Sequence, residues 1–256
     1  MIEKVKKILP FFVGIWSGLS MYLIQLYPNI RFVVFVWFVW MIVVILVYKQ
    51  IKKNIENSFH YLILAITTFF GVFSFVSLME VRSIRLFLVF FVGLIMFILT
   101  SAFTSKKVFS TISQKTLRRV MVMAWVFNAY SFLALAFALN MFFPNISFWA
   151  INIIVGLVFG AISSIIWYLY YPIHPKYLLL WALIMILIII ELVWVFHLLP
   201  FGFFVSAFFI SWIWYVVQLF IRFHLSTQGI VWKNQIVFLS VNGVLFLILL
   251  FLTRWV

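Results

Sequence analysis

Apolar segments long enough to cross a bilayer follow one another along almost the whole chain, with only short polar connections between them. About 20 apolar residues are needed to span the ~30 Å hydrocarbon core. This spacing predicts nine transmembrane helices: Ile8–Tyr27, Phe32–Tyr48, Tyr61–Met79, Leu86–Thr104, Val120–Phe143, Ser147–Tyr171, Tyr177–Leu199, Phe201–Phe223 and Ile236–Thr253. We therefore expect an all-α polytopic membrane protein with one integral membrane domain over residues 1–256.

The seventh and eighth helices need a separate argument, because no charged connection divides Tyr177–Phe223. At ~1.5 Å per residue a single helix here would be about 70 Å long, more than twice the ~30 Å hydrocarbon core. The sequence Leu199-Pro200-Phe201-Gly202 places residues that end helices near the middle of this segment. The pattern therefore predicts two helices.

Composition excludes soluble proteins and several kinds of catalytic site. Hydrophobic residues make up 68% of the chain and charged residues 9%, whereas a soluble domain carries about a quarter charged residues. The chain has no Cys, so disulfides and thiolate metal sites are excluded. It also lacks Asp, a His-Glu-x-x-His zinc motif and a glycine-rich phosphate loop. We expect neither a metal nor a cofactor.

Lysine and arginine set the expected orientation, because they favour the cytoplasmic side of a membrane. Of the 18 basic residues, all but four lie at helix ends on one side, and this distribution alternates consistently through nine spans. The four exceptions are Arg31, Arg82, Arg85 and Arg254. The distribution predicts a cytoplasmic N-terminus and an external C-terminus.

Two connections on the predicted cytoplasmic side, 49–60 and 105–119, combine basic residues with apolar residues at helical spacing. Such segments lie along the membrane interface and attract anionic lipid, at about 1 kcal/mol per basic residue. We therefore expect the lipid bilayer, with anionic lipid at its cytoplasmic face, as the partner. Nucleic-acid binding is disfavoured, and the sequence does not indicate the oligomeric state.

The chain also contains a possible internal duplication. Pro28-Asn29-Ile30 and Pro144-Asn145-Ile146 lie 116 positions apart, each after a predicted helix. Helices one to four would then match helices five to eight as two parallel repeats, 1–116 and 117–232, with an extra C-terminal helix in 233–256. Chance similarity in a chain this rich in Phe, Leu, Ile and Val is the alternative.

Glu191 is the strongest candidate for a functional residue. It lies within Ile190-Glu191-Leu192 of the seventh helix, where a carboxylate costs about 2.5–3.5 kcal/mol at the membrane centre. We expect it to face the interior of the helix bundle near a polar group, as a proton carrier, an ion ligand or an acid/base. The alternative is a protonated or paired structural residue. His197 follows on a different face of the same helix, as a functional residue or as an interfacial one.

Glu80, Arg82 and Arg85 lie close together at the predicted outer side, and Arg31 lies on the same side. The fork of an arginine side chain suits phosphate and carboxylate groups, so this cluster is a candidate site for such groups. The alternative is anchoring of the helix ends, with an ion pair between Glu80 and an arginine.

Two glycine motifs predict close contacts between helices. Gly14 and Gly18 are four residues apart in the first helix, as are Gly156 and Gly160 in the sixth. Such spacing lets two backbones approach closely in a membrane. Packing within the chain is favoured over dimerisation, because nine helices offer many neighbours.

The last third of the chain resembles an uncharacterised family of multi-span inner-membrane proteins from small-genome candidate-phyla bacteria. The resemblance lies in Glu191-Leu-Val-Trp194, Leu199-Pro200-Phe201, Arg222-Phe-His224-Leu225, Val231-Trp232-Lys233 and Leu252-Thr253-Arg254-Trp255. It implies a bacterial inner-membrane location and no particular activity.

Two classes of function remain open from the sequence. The first is a non-enzymatic membrane protein, either a carrier of a small solute or a membrane scaffold, which the scarcity of acidic residues favours. The alternative is an outer-leaflet enzyme that modifies lipids or binds lipid phosphate through Glu191, His197, Glu80 and the outer arginines.

The charge distribution makes a direct prediction about topology. A reporter protein fused after Val256 should be active only if it is a type that works outside the cytoplasm, because the basic residues place the C-terminus there. Activity of a reporter that works only in the cytoplasm would contradict the count of nine spans.

Overall fold

The computed structural model describes residues 2–52, 58–104, 111–171, 174–225 and 232–253. Over these ranges the chain forms nine α-helices and no β-strand. The helices are α1 (Ile2–Leu26), α2 (Ile30–Lys52), α3 (Ser58–Leu78), α4 (Arg82–Thr104), α5 (Thr111–Phe142), α6 (Phe148–Tyr170), α7 (Pro175–Leu198), α8 (Phe203–His224) and α9 (Trp232–Leu252). Each is long and apolar enough to cross a membrane, so the predicted all-α membrane architecture is confirmed.

Helix ends depart from the prediction mainly where basic residues flank the apolar core, before it in α5 and after it in α2. α5 begins at Thr111 rather than Val120, and α2 continues to Lys52. The segment from Thr111 to Val120 contains no Gly or Pro that would end a helix. Helical residues therefore extend into both predicted interfacial connections, 49–60 and 105–119, and residues 53–57 and 105–110 of these connections lie outside the described residues.

The chain divides into two compact units, Met1–Asn128 and Ala129–Val256, with the boundary inside α5. In the first unit α1 packs on α2 and α4, and α3 also packs on α2 and α4, so these helices close into a ring. The contact between α1 and α4 is the tightest. A Cβ atom added to Gly14 would lie 2.9 Å from the carbonyl oxygen of Gly93, and one added to Gly18 would lie 3.5 Å from the carbonyl oxygen of Val89.

Aromatic rings and hydroxyl groups join the other helices of the first unit. The indole N–H of Trp40 in α2 donates to the hydroxyl of Ser17 in α1 at 3.0 Å, and the Trp40 ring stacks on Phe69 of α3 with centroids 4.0 Å apart. Tyr61 of α3 and Thr100 of α4 share a hydrogen bond of 2.9 Å. These buried groups tie neighbouring helices together where no water is available.

In the second unit α7 packs on α6 and on α8. Gly156 and Gly160 provide the close approach of α6, because Cβ atoms at these positions would lie 2.8 Å from Ile190 and 2.6 Å from Ile186 of α7. The glycines of both predicted motifs therefore contact neighbouring helices of the same chain. The duplication itself stays a prediction.

The glycine contacts predict different effects of the same substitution on stability at two sites. Gly14→Ala should lower the free energy of unfolding by about 1–3 kcal/mol, since the added methyl group meets backbone atoms of α4. Gly243→Ala in α9 is the matched control, because a Cβ there meets nothing within 4 Å. It should be neutral or stabilise by up to ~1 kcal/mol through helix propensity. Thermal unfolding in detergent measures both, and equal midpoints would contradict the packing.

Candidate functional site

The sequence-derived candidates fall in both units, and each unit is considered by itself. In the second unit Glu191 and His197 are both exposed side chains of α7. The buried stripe of α7 consists of Ala182, Met185, Ile189, Val193 and Phe196. Glu191 lies two residues from both Ile189 and Val193, and two residues correspond to about 200° of rotation at 3.6 residues per turn. Its side chain therefore leaves α7 on nearly the opposite side from this buried stripe.

The expectation that Glu191 faces the interior of the bundle is therefore wrong for the described chain. Residues one helical turn away, Leu187 and Trp194, are exposed as well, so the carboxyl group lies in an apolar surface stripe. Asn152 of α6 is the buried polar side chain next to this position. Its amide donates to the main-chain carbonyl of Ile190 at 3.1 Å, not to the Glu191 carboxylate.

His197 contacts an aromatic ring rather than a second titratable group. Its imidazole stacks on Phe148 at the start of α6, with centroids 4.3 Å apart and planes 21° apart. Six residues separate it from Glu191, so the two side chains leave α7 on different faces. Within the described ranges, no group of three or more His, Asp or Glu residues could hold a metal ion.

The polar centre of the second unit lies between α6 and α8. Two buried tryptophans bridge these helices in opposite directions. Trp214 of α8 donates to the hydroxyl of Ser163 in α6 at 2.9 Å, and Trp167 of α6 donates to the main-chain carbonyl of Gln218 in α8 at 3.2 Å. All four residues are fully buried. We call this group the tryptophan ladder.

Gln218 has an unusual environment within the tryptophan ladder. Its side chain is 0% exposed, yet neither its amide nitrogen nor its amide oxygen has a hydrogen-bond partner in the described part of the chain. The buried hydroxyl of Ser211, two turns away on α8, also lacks a partner among the described residues. A buried amide without a partner costs about 1–3 kcal/mol. Such groups are rare in folded proteins, and each calls for an explanation, such as a bound water or ion.

A cation lies one helical turn beyond Gln218. The guanidinium of Arg222 is placed over the ring of Tyr170, 4.4 Å from its centroid. Arg222 and Gln218 are four residues apart on α8, and Tyr170 and Trp167 are three apart on α6, so both pairs share helix faces. The polar groups therefore run from the helix ends at Arg222 inward to Ser211, about 16 Å at ~1.5 Å per residue.

In the first unit the cluster of Glu80, Arg82 and Arg85 has a different geometry. Arg82 begins α4, and both Arg82 and Glu80 are exposed. Arg85 donates through Nη2 to the main-chain carbonyl of Glu80 at 3.4 Å, so the contact predicted between these residues involves the backbone of Glu80. The Nε atom of Arg85 is buried and has no partner among the described residues. Arg31 is exposed at the start of α2.

An apolar groove lies between α1 and α4 directly below Arg85. It has a volume of about 400 Å³, and its lining residues are Phe11, Gly14, Ile15, Gly18, Leu86, Val89, Phe90, Gly93, Leu94 and Phe97. The three glycines form its floor. The walls face outward, since Ile15 is 71% exposed and Phe90 is 69% exposed.

The sequence interpretation missed the tryptophan ladder and the role of Gly93. Tryptophan is enriched at membrane interfaces, so Trp40 and Trp214 in the middle of apolar helices were a usable signal of buried donors. Gly93 stands alone in α4, and only its three-dimensional neighbours Gly14 and Gly18 reveal its function in packing.

The exposure of Glu191 predicts how its replacement affects stability. Glu191→Leu should leave the unfolding midpoint unchanged or raise it, because an apolar side chain suits an exposed position on a membrane helix better than a carboxyl group. Asn152→Leu is the contrasting variant, since it removes a buried bond to Ile190 and should lower the midpoint. Equal losses in the two variants would show that Glu191 has a polar partner.

The chain matches no protein-family model, no curated protein and no solved structure. The candidate sites therefore rest on the geometry of this chain alone.

Proposed function

We propose that this chain is a non-enzymatic protein of the bacterial cytoplasmic membrane that carries a small polar solute. The observation that supports this proposal best is Gln218, a fully buried amide on a membrane-spanning helix with both ends unpartnered among the described residues. A bilayer interior offers no water to such a group. A solute that accepts and donates hydrogen bonds would provide what the chain does not.

The surrounding residues define the class of solute. α6 and α8 contain no acidic residue, and the groups beside Gln218 are indoles, hydroxyls and main-chain carbonyls. These groups bind through hydrogen bonds and ring contacts, without a negative charge that would select cations. Small neutral molecules such as polyols or urea fit this chemistry, and Arg222 at the helix ends disfavours cations further.

The proposed orientation places this site on the cytoplasmic half of the membrane. With the N-terminus inside and the C-terminus outside, the Arg222 end of α8 faces the cytoplasm. Gln218 then lies one helical turn further from that face than Arg222. A membrane scaffold, the other non-enzymatic possibility, would have no use for an unpartnered amide at this position.

Gln218→Leu should change solute uptake and protein stability in opposite directions. Uptake of glycerol and urea is measured by stopped-flow light scattering in proteoliposomes, against protein-free liposomes. We expect the wild-type protein to accelerate uptake of at least one probe, and Gln218→Leu to reduce that acceleration at least about tenfold. The same variant should raise the unfolding midpoint, because a leucine removes an unsatisfied buried amide worth about 1–3 kcal/mol.

Asn242→Leu in α9 is the matched control for this experiment. Its amide is also membrane-embedded, but both ends are bonded, to Trp212 and to the Phe238 carbonyl. This variant should lose stability and retain uptake. Wild-type rates equal to those of protein-free liposomes for both probes would contradict carriage, and unchanged uptake in Gln218→Leu would remove Gln218 from the site.

A second candidate function, recognition of lipid phosphate at the outer side, is favoured by one observation. The Nε donor of Arg85 is buried without a partner among the described residues, and Arg82 is exposed beside it. Arginine binds phosphate through paired N–H donors. We propose this recognition as binding alone, with no reaction assigned to it.

A further inference from the structure

We propose that the groove between α1 and α4 holds one acyl chain of a glycerophospholipid whose phosphate binds Arg82 and Arg85. This inference deepens the second candidate function by naming its ligand. It makes no use of Gln218 or of any residue in the second unit, so it stands or falls independently of solute carriage.

The length of the groove fits one leaflet of a bilayer. Along α4 it extends from Leu86 to Phe97, which is about 16 Å at ~1.5 Å per residue. Half of a ~30 Å hydrocarbon core is about 15 Å. The volume of about 400 Å³ also lies within the ~300–1,000 Å³ typical of pockets that hold a small ligand.

The composition of the groove suits a hydrocarbon chain. Glycine backbone forms the floor at Gly14, Gly18 and Gly93, and aromatic and aliphatic side chains form the walls. The walls are exposed on the outer surface of this helix pair, at Ile15 and Phe90. A lipid chain can therefore enter sideways from the bilayer without any movement of the helices.

The two arginines continue the groove by one helical turn. Arg82 precedes Leu86 by four residues, and Arg85 precedes Val89 by four, so both lie above groove residues on the same face of α4. Side chains on a helix point toward its N-terminus. At the start of α4 this direction carries the guanidinium groups away from the apolar groove and toward the headgroup region.

Charge at this end favours a phosphate. Arg82, Arg85 and Glu80 together carry one net positive charge, and Arg85 uses Nη2 on the main-chain carbonyl of Glu80 while its Nε stays unpartnered in the described chain. The first N–H groups of α4 add a partial positive charge at the same place. A phosphodiester with an attached acyl chain matches both the cationic end and the apolar groove.

Native mass spectrometry of the detergent-purified protein with added dioleoyl phosphatidylglycerol tests this site. We expect one tightly bound lipid per chain, and at least about tenfold weaker binding in the double variant Arg82→Gln/Arg85→Gln. Arg31→Gln is the matched control, because Arg31 lies on the same predicted side without being part of the groove. It should bind lipid like the wild-type protein. An equal loss in Arg31→Gln would show general attraction to a basic surface and overturn the site.

A second pair of variants tests the groove itself. Ile15→Trp fills the groove from an exposed wall and should weaken lipid binding at least about tenfold. Val34→Trp, at an exposed position on α2 outside the groove, should not. Unchanged lipid binding in Ile15→Trp would overturn the placement of the acyl chain.

Two further outcomes would identify a different occupant. Inorganic phosphate that competes fully with the lipid would indicate a phosphate site without an acyl chain. A dimer lost only in Ile15→Trp would indicate that a second copy of the chain fills the groove. Thermal unfolding of each variant checks that it retains the wild-type fold, and both tryptophan variants alter exposed positions only.

Discussion

The hydrocarbon interior of a membrane supplies no hydrogen-bond partners, and this constraint governs the polar groups of the protein. Helices satisfy the backbone within themselves. The buried side chains Trp40, Tyr61 and Trp214 reach hydroxyls on neighbouring helices, so each bond that satisfies a polar atom also fixes the position of two helices. Against this background Gln218 differs from the other buried amides of the described chain, because both its nitrogen and its oxygen lack a partner, whereas Asn128 and Asn152 lack one only at the oxygen. Arg85 leaves its buried Nε donor without a partner among the same residues.

Two different devices set how helices meet. Glycine brings α1 to α4 and α6 to α7 until backbone and side-chain atoms are in direct contact. Tryptophan joins α6 to α8 over a longer reach, because each indole spans the space between the helices and donates at its far end. Helices separated by large aromatic rings have room for polar groups between them, whereas helices in contact through glycine have almost none. The polar candidate site accordingly lies beside indoles, and the apolar groove lies above glycines.

The sequence predicted the nine helices because their signal is one-dimensional: the length of each apolar segment must match the membrane thickness. It failed at the start of α5, where basic and hydroxyl residues continue a helix beyond its apolar part. It also failed for Glu191, because the rarity of an acid in a membrane helix indicates cost but does not say which face the neighbouring helices cover. That face is determined by the contacts of Ile186 and Ile190 with Gly160 and Gly156, which no periodicity along α7 alone could reveal.

The candidate sites were less predictable than the fold. The sequence shows Gln218 as one membrane amide among several. Only its neighbours separate it from Asn242, whose amide is bonded at both oxygen and nitrogen, and from Asn152, whose nitrogen is bonded. Arg82 and Arg85 were recognised as a cluster, but the groove below them depends on Gly93 meeting Gly14, residues 79 positions apart in sequence.

That separation has a consequence for how the protein is made. Helix α1 enters the membrane first, yet its closest neighbour α4 is completed only after the intervening chain has been synthesised. At ~5–20 residues per second, the ribosome needs about 4–16 s to proceed from Gly14 to Gly93. During this interval the glycine face of α1 is in the bilayer without its partner, and it needs lipid or the insertion machinery to cover it until the ring of four helices closes.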